Sequence, residues 1–336
     1  MARCLTLLMI TLMLMVPFSA WAETSSGHIT MVVDLSSHDT EKDIQLWIPY
    51  PITNNNQMIS NIKVDGNYSE SAVYTDRVFQ NNMLYAKWVA GAEKRTLTFT
   101  FDVKRDEVIR RDFPEKEAAW DQADYALYLA PTRPGPIDGE VKKLVDSITK
   151  GKKGVLAKAK AVYDWTCENT WRNLETKGCG VGNINRLLKE PCGKCADISS
   201  IFVALARAAG VPAREILGIR QGKKAVQDIS KWQHCWAEFY LPGYGWVPVD
   251  PADVRKMMLK QNLEPEDTKT KEYRDYFWGG IDPYRIKLGE GRDVVLNPPQ
   301  HGDPLNYLMY PFAQVGEKTL DWLEPATFKY SIIYTK

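Results

Sequence analysis

Residues 193–214 read GKCADISSIFVALARAAGVPAR. Within this stretch Ile198, Ile201, Phe202, Leu205 and Ala209 recur at the spacing of one helical face, the pattern of a helix that packs on a core. The spacing predicts a helix over 195–209. Its alanines permit close approach on the other sides, so the helix is expected to be buried. Gly210 supplies a C-terminal stop and Pro212 prevents continuation. Cys195 falls in the first turn. Unpaired backbone N–H groups and the positive end of the helix dipole converge there, and both favour thiolate over thiol.

Two strands follow. Gln233 to Leu241 alternates, with His234, Trp236, Glu238 and Tyr240 on one side and Cys235, Ala237, Phe239 and Leu241 on the other. Trp246 to Asp250 is the second, and Pro242-Gly243-Tyr244-Gly245 is the turn between them. His234 opens the first strand and Asp250 ends the next. A neutral imidazole can take a thiol proton, and a carboxylate can fix its tautomer. Taken singly, each residue has a plain structural reading: a small residue at a helix start, a core histidine, a turn aspartate before proline. Together, in this order, they form a Cys-His-Asp set. Register is the obstacle. If Leu241 pairs with Trp246, Asp250 faces Ala237, and a one-residue slip or a bulge is needed to bring it to the imidazole.

These three blocks carry a resemblance. Gly193-Lys194-Cys195-Ala196-Asp197 with Ile201 to Arg214, His234-Cys235-Trp236-Ala237-Glu238-Phe239, and Gly243 to Pro251 together resemble the nucleophile, histidine and aspartate segments of bacterial transglutaminase-like proteins. The likeness runs over roughly 155–255 with the blocks in family order. It implies an α+β fold, a papain-like transglutaminase core preceded by a small antiparallel β-sandwich, and thiol-dependent acyl transfer or hydrolysis at amide bonds through a thioester. Cys195 is then the nucleophile, His234 the base and Asp250 the orienting acid, with a protein or peptide as substrate. The backbone N–H of Cys195 is one expected oxyanion donor. An upstream side chain supplies the second, with Trp171, Asn183 and Asn185 as candidates.

Three other readings compete. Cys192-Gly193-Lys194-Cys195 is a C-x-x-C before a helix, as in thiol-disulfide redox proteins, but no apolar strand leads into it. Cys192, Cys195, His234 and Cys235 make four zinc-type ligands, although neighbouring strand residues point to opposite faces. A non-catalytic binding scaffold is the third. No cofactor and no metal are expected.

Upstream, Ile29 to Leu35 and Leu97 to Val103 alternate as half-buried antiparallel strands, with 44–48 and 84–88 between them. The sequence divides into a leader at 1–22, a β-sandwich at 23–112, and a catalytic core at 113–336 with a β-rich end. Helical patterns precede the nucleophile near 139–149 and 154–170, and a Gly-rich loop runs from Gly178 to Gly182.

The leader has a positive start at Arg3, an apolar run from Leu5 to Val16, and Ala20-Trp21-Ala22 as a small-x-small cleavage site. It reads as a secretory signal peptide. The protein is therefore expected to be exported, periplasmic or extracellular, with no transmembrane anchor after cleavage. Arg3 is the only charged residue before Glu23, so 42 basic and 42 acidic side chains remain. That balance predicts no strongly basic face and gives no support for nucleic-acid binding. Five cysteines remain after the leader, an odd number that leaves at least one thiol free.

Overall fold

The computed structural model describes residues 23–336, so the leader lies outside the described residues. The chain forms mixed helices and largely antiparallel sheets: an α+β core built on a four-stranded sheet, joined to a β-sandwich of two five-stranded sheets.

The alternating segments become strands Thr24–Asp34, Ile44–Pro49, Asn82–Trp88 and Thr96–Asp106. Their inward residues, among them Ile29, Val33, Leu46, Ile48, Leu84, Leu97 and Phe99, are buried together. Each such side chain contributes about 1.5–3 kcal/mol on burial. The sandwich also takes strands from the far end of the chain. Tyr330–Thr335 pairs antiparallel with Thr24–Asp34, and Phe312–Val315 pairs with Ile44–Pro49. The β-rich end at 285–336 is thus shared. Its last strands complete the sandwich sheets, while Arg285–Glu290 joins the core sheet. Long-range strand pairing of this kind leaves no local mark in a sequence.

The core sheet has four strands in the order Gly245–Val249, Gln233–Leu241, Ala213–Arg220, Arg285–Glu290. The outermost, Arg285–Glu290, is covered by two amide side chains from the sandwich. Gln57 donates to the Lys287 carbonyl and accepts from its N–H, at 3.0 and 2.8 Å. Asn81 does the same for Glu290, at 2.9 and 2.8 Å. These contacts satisfy backbone groups that an edge strand otherwise exposes, and they anchor the strand that begins with Arg285.

The helix Cys195–Ala208 packs on the strand Gln233–Leu241, with helices Gly139–Ile148 and Gly154–Asn169 also against it. It is buried over nearly its whole length. Its end is a Schellman motif: Val211 N–H donates to Ala206, Gly210 N–H to Arg207, both at 2.9 Å, and Gly210 takes a φ of 78°.

Candidate active site

The start of the helix Cys195–Ala208 is fixed by Asp197. This fully buried carboxylate accepts from the N–H of Gly182 at 2.9 Å and of Lys194 at 3.3 Å. It ties the Gly-rich loop to the helix. A Cβ at Gly180 or Gly193 would lie 1.9 or 2.1 Å from the Asp197 carboxylate oxygen, so both positions need glycine. Burial raises the Asp197 pKa.

Cys195 sits at the first position of the helix, its side chain on the wall of a cleft of ≈ 1000 Å³ that His234 also lines. Three groups meet its sulfur: the thiols of Cys179 and Cys235 and the imidazole of His234. The neighbouring Cys179, then Cys235, with a further contribution from His234, outweigh burial and hold the Cys195 thiol well below its ordinary range. The Cys235 thiol is pushed well up by burial. Cys179 moves the same way, through its bond to Cys195 and through burial. Cys179 also donates to the Gln233 carbonyl at 3.2 Å. Of the three thiols, Cys195 is thus the one whose pKa is lowered.

His234 meets Asp250 through Nε2, which lies 2.7 Å from Oδ2. That leaves Nδ1 for the thiol. The register achieves this with one residue fewer in the turn than a Leu241–Trp246 pair requires. Leu241 pairs with Gly245, Tyr240 with Trp246 and Ala237 with Val249. Asp250 therefore comes level with Trp236, on the same strand face as His234. Gly243 and Gly245, at φ 78° and 100°, make the tight connection possible. The second Asp250 oxygen caps the following helix, Pro251–Gln261, by accepting from Asp253 N–H at 2.8 Å.

Beside this pair lies a residue the sequence did not single out. Arg285 is fully buried and bridges Asp250, Asp253 and Asp282. One of its nitrogens donates to the same Asp250 oxygen that the imidazole meets. Its guanidinium also faces the rings of Phe277 and Trp236, at 5.1 and 6.0 Å. Burial works against its charge, but the three carboxylates outweigh burial and raise its pKa. Arg220 adds a second guanidinium, on Asp253. Burial alone would raise Asp253, yet Arg220, His234 and Arg285 hold it well below the usual carboxylate range. Three carboxylates therefore face two guanidiniums at ion-pair distance, and His234 stands beside them. His234, Asp250 and Asp253 also place ligand atoms within 4.8 Å of one another. Both aspartates already face guanidiniums, which compete directly with a cation.

The upstream candidates are elsewhere. Asn183 caps the short helix Ile184–Leu187, accepting from Arg186 N–H at 3.1 Å, and Asn185 is exposed on that same helix. Trp171 is 46% exposed on a short strand paired with Cys192–Gly193. None of the three lines the cleft, whereas Arg172 does. The C-x-x-C pair is not assembled either. Cys192 Sγ faces Glu190 Oε1 at 3.5 Å and Asn173 Nδ2 at 3.8 Å, and all five described cysteines are free. The charge expectation needs correction as well. Nine lysine and arginine side chains and four carboxylates surround the cleft, because folding collects scattered cations that a whole-chain sum averages away.

The transglutaminase-like superfamily core matches residues 142–251, which include Cys195, His234 and Asp250. An uncharacterized Haemophilus influenzae protein is 34% identical over 317 residues, covering 87% of this chain and 86% of that protein. A Pseudomonas aeruginosa protein-glutamine gamma-glutamyltransferase is 33% identical over 87 residues, 24% of this chain and 13% of that protein. A proposed cysteine protease from Cytophaga hutchinsonii has a similar fold, with TM-score 0.57 and 16% identity over 94% of this chain and 99% of that one. The chain belongs to the transglutaminase-like superfamily. Among the described residues no helix is long and apolar enough to cross a membrane.

Proposed function

We propose that this is an exported thiol enzyme that transfers or hydrolyses acyl groups at amide bonds of a protein or peptide. The observation that carries the reading is that Cys195 and His234 line one open cleft while Asp250 holds the His234 imidazole at 2.7 Å, with the thiol lowered well below its ordinary pKa.

In the first half-reaction the Cys195 thiolate attacks the amide carbonyl and a C–S bond forms. Negative charge collects on the carbonyl oxygen, where the Cys195 N–H donates. The His234 imidazolium gives its proton to the nitrogen, the C–N bond breaks and the amine leaves. In the second, His234 takes a proton from water or an acceptor amine as that nucleophile attacks the thioester. The C–S bond breaks and the thiolate returns. Asp250 holds the imidazole with Nδ1 toward sulfur. The named activity of the Pseudomonas aeruginosa relative supports the amine route; water gives hydrolysis with the same residues.

The test is acyl-enzyme trapping. Reduced protein is treated with an activated ester and analysed by mass spectrometry, with and without a primary amine. An acyl adduct on Cys195, absent in Cys195→Ser and discharged by water or amine, is the expected result. No adduct on the reduced wild-type protein would overturn the reading.

A further inference from the structure

The cleft before Cys195 is charged in a way the thiol chemistry does not require. Each of its four carboxylates already has a partner among the described residues. Asp253 faces Arg220 and Arg285, Asp282 faces Arg285, Glu272 faces Lys269, and Glu23 accepts from the Tyr284 hydroxyl at 2.7 Å. The cations are different. Arg172, Lys194, Lys224, Lys256 and Lys260 line the cleft without an ion pair among the described residues. Arg172 is half-buried, and its Nη1 is buried with no hydrogen-bond partner. An unsatisfied guanidinium N–H in a cleft wall loses solvation without a compensating acceptor. Lys256 is also half-buried, and burial followed by Arg220 lowers its pKa. An incoming anion would pair with the parts of both cations that line the cleft.

We propose that the cleft selects acidic peptides: acyl donors with a carboxylate close to the reacting carbonyl, held by Arg172 and Lys256. The planar fork of Arg172 matches a carboxylate, and the low-dielectric walls focus the cationic field at the thiol. A nucleic acid offers the same charge but no amide for the thiolate, so the peptide is the occupant the site favours. This inference rests on Cys195 being the nucleophile.

The experiment separates the two ideas. Cys195 in the full exported chain is alkylated with neutral iodoacetamide and with anionic iodoacetate, and the rate ratio is compared with that of the unfolded protein. Iodoacetate is expected to gain at least about tenfold relative to the unfolded reference. The gain is expected to shrink in 0.5 M salt and in Arg172→Gln and Lys256→Gln, whose iodoacetate rates fall more than their iodoacetamide rates. An equal ratio in folded and unfolded protein would overturn the acidic-peptide proposal while leaving the nucleophile intact. Slow, unselective reaction of Cys195 with both reagents would instead overturn the nucleophile reading. Protection of Cys195 from iodoacetamide by polyglutamate, but not by single-stranded DNA of equal charge, supports the peptide. Protection by DNA alone contradicts it.

Discussion

Two arginines, Arg214 partly exposed and Arg285 fully buried, organise two charged clusters in the same core sheet. Arg214 lies between Glu238 and Glu290, at 2.7 and 2.8 Å, with Lys287 also on Glu290 at 2.8 Å. Two anions meet two cations, Trp246 covers the guanidinium at 3.9 Å, and no imidazole is present. That cluster is electrically complete. Arg285 lies among Asp250, Asp253 and Asp282, with Arg220 as the second cation. Here three anions meet two cations, and the missing positive charge is where His234 stands. One cluster is closed on itself. The other reaches an imidazole that lines the same cleft as the thiol.

The contrast can be broken at either site. Asp250→Asn preserves shape but removes the charge and the tautomer preference, and it should cost about 10³–10⁴-fold in acyl turnover. The matching Glu238→Gln should leave turnover within about threefold, consistent with a neutral hydrogen bond replacing a charged one away from the thiol. Steady-state kinetics on both variants checks the pair; equal losses would erase the distinction. Arg285→Met leaves uncompensated buried carboxylates and should destabilise by about 3–5 kcal/mol in urea unfolding. It should also alter the pH profile of Cys195 alkylation. Arg214→Met should cost less, about 2 kcal/mol, because Lys287 still faces Glu290, and it should leave the alkylation profile in place.

The smallest effect concerns the thiol's own neighbours. Cys179→Ala removes the neighbour that contributes most to lowering the Cys195 pKa. Cys195 must then lose its proton at higher pH, so alkylation should slow on the acid side and remain fast on the alkaline side. Loss of rate at every pH would point to a damaged fold rather than a shifted titration.

Much of this site was readable because its parts are local. The helix predicted over 195–209 and the strands predicted over 233–241 and 246–250 follow from short periodic runs with clear stops, and they form at Cys195–Ala208, Gln233–Leu241 and Gly245–Val249, with the candidate residues Cys195, His234 and Asp250 at or next to their ends. What stayed hidden is non-local. Arg285 meets His234 and Asp250 from 51 and 35 residues away, in a stretch with no motif. Cys179 reaches the thiol from a Gly-rich loop whose path depends on Asp197. The strands that close the sandwich come from the opposite end of the chain. The turn before Gly245 was visible, but its length by one residue decides which face Asp250 occupies, and that is set by glycine conformations rather than by pattern.

An activated thiol–imidazole pair is read out by the pH dependence of Cys195 alkylation by iodoacetamide. Wild type is compared with His234→Ala, and Cys195→Ser serves as the labelling control. The thiolate exists above the folded-state pKa, which lies well below the ordinary 9.0, so wild type should label selectively at Cys195 at neutral pH and into the acid range. In His234→Ala the profile should move to higher pH. Labelling of Cys195 only at alkaline pH, with no response to the loss of His234, would contradict the account.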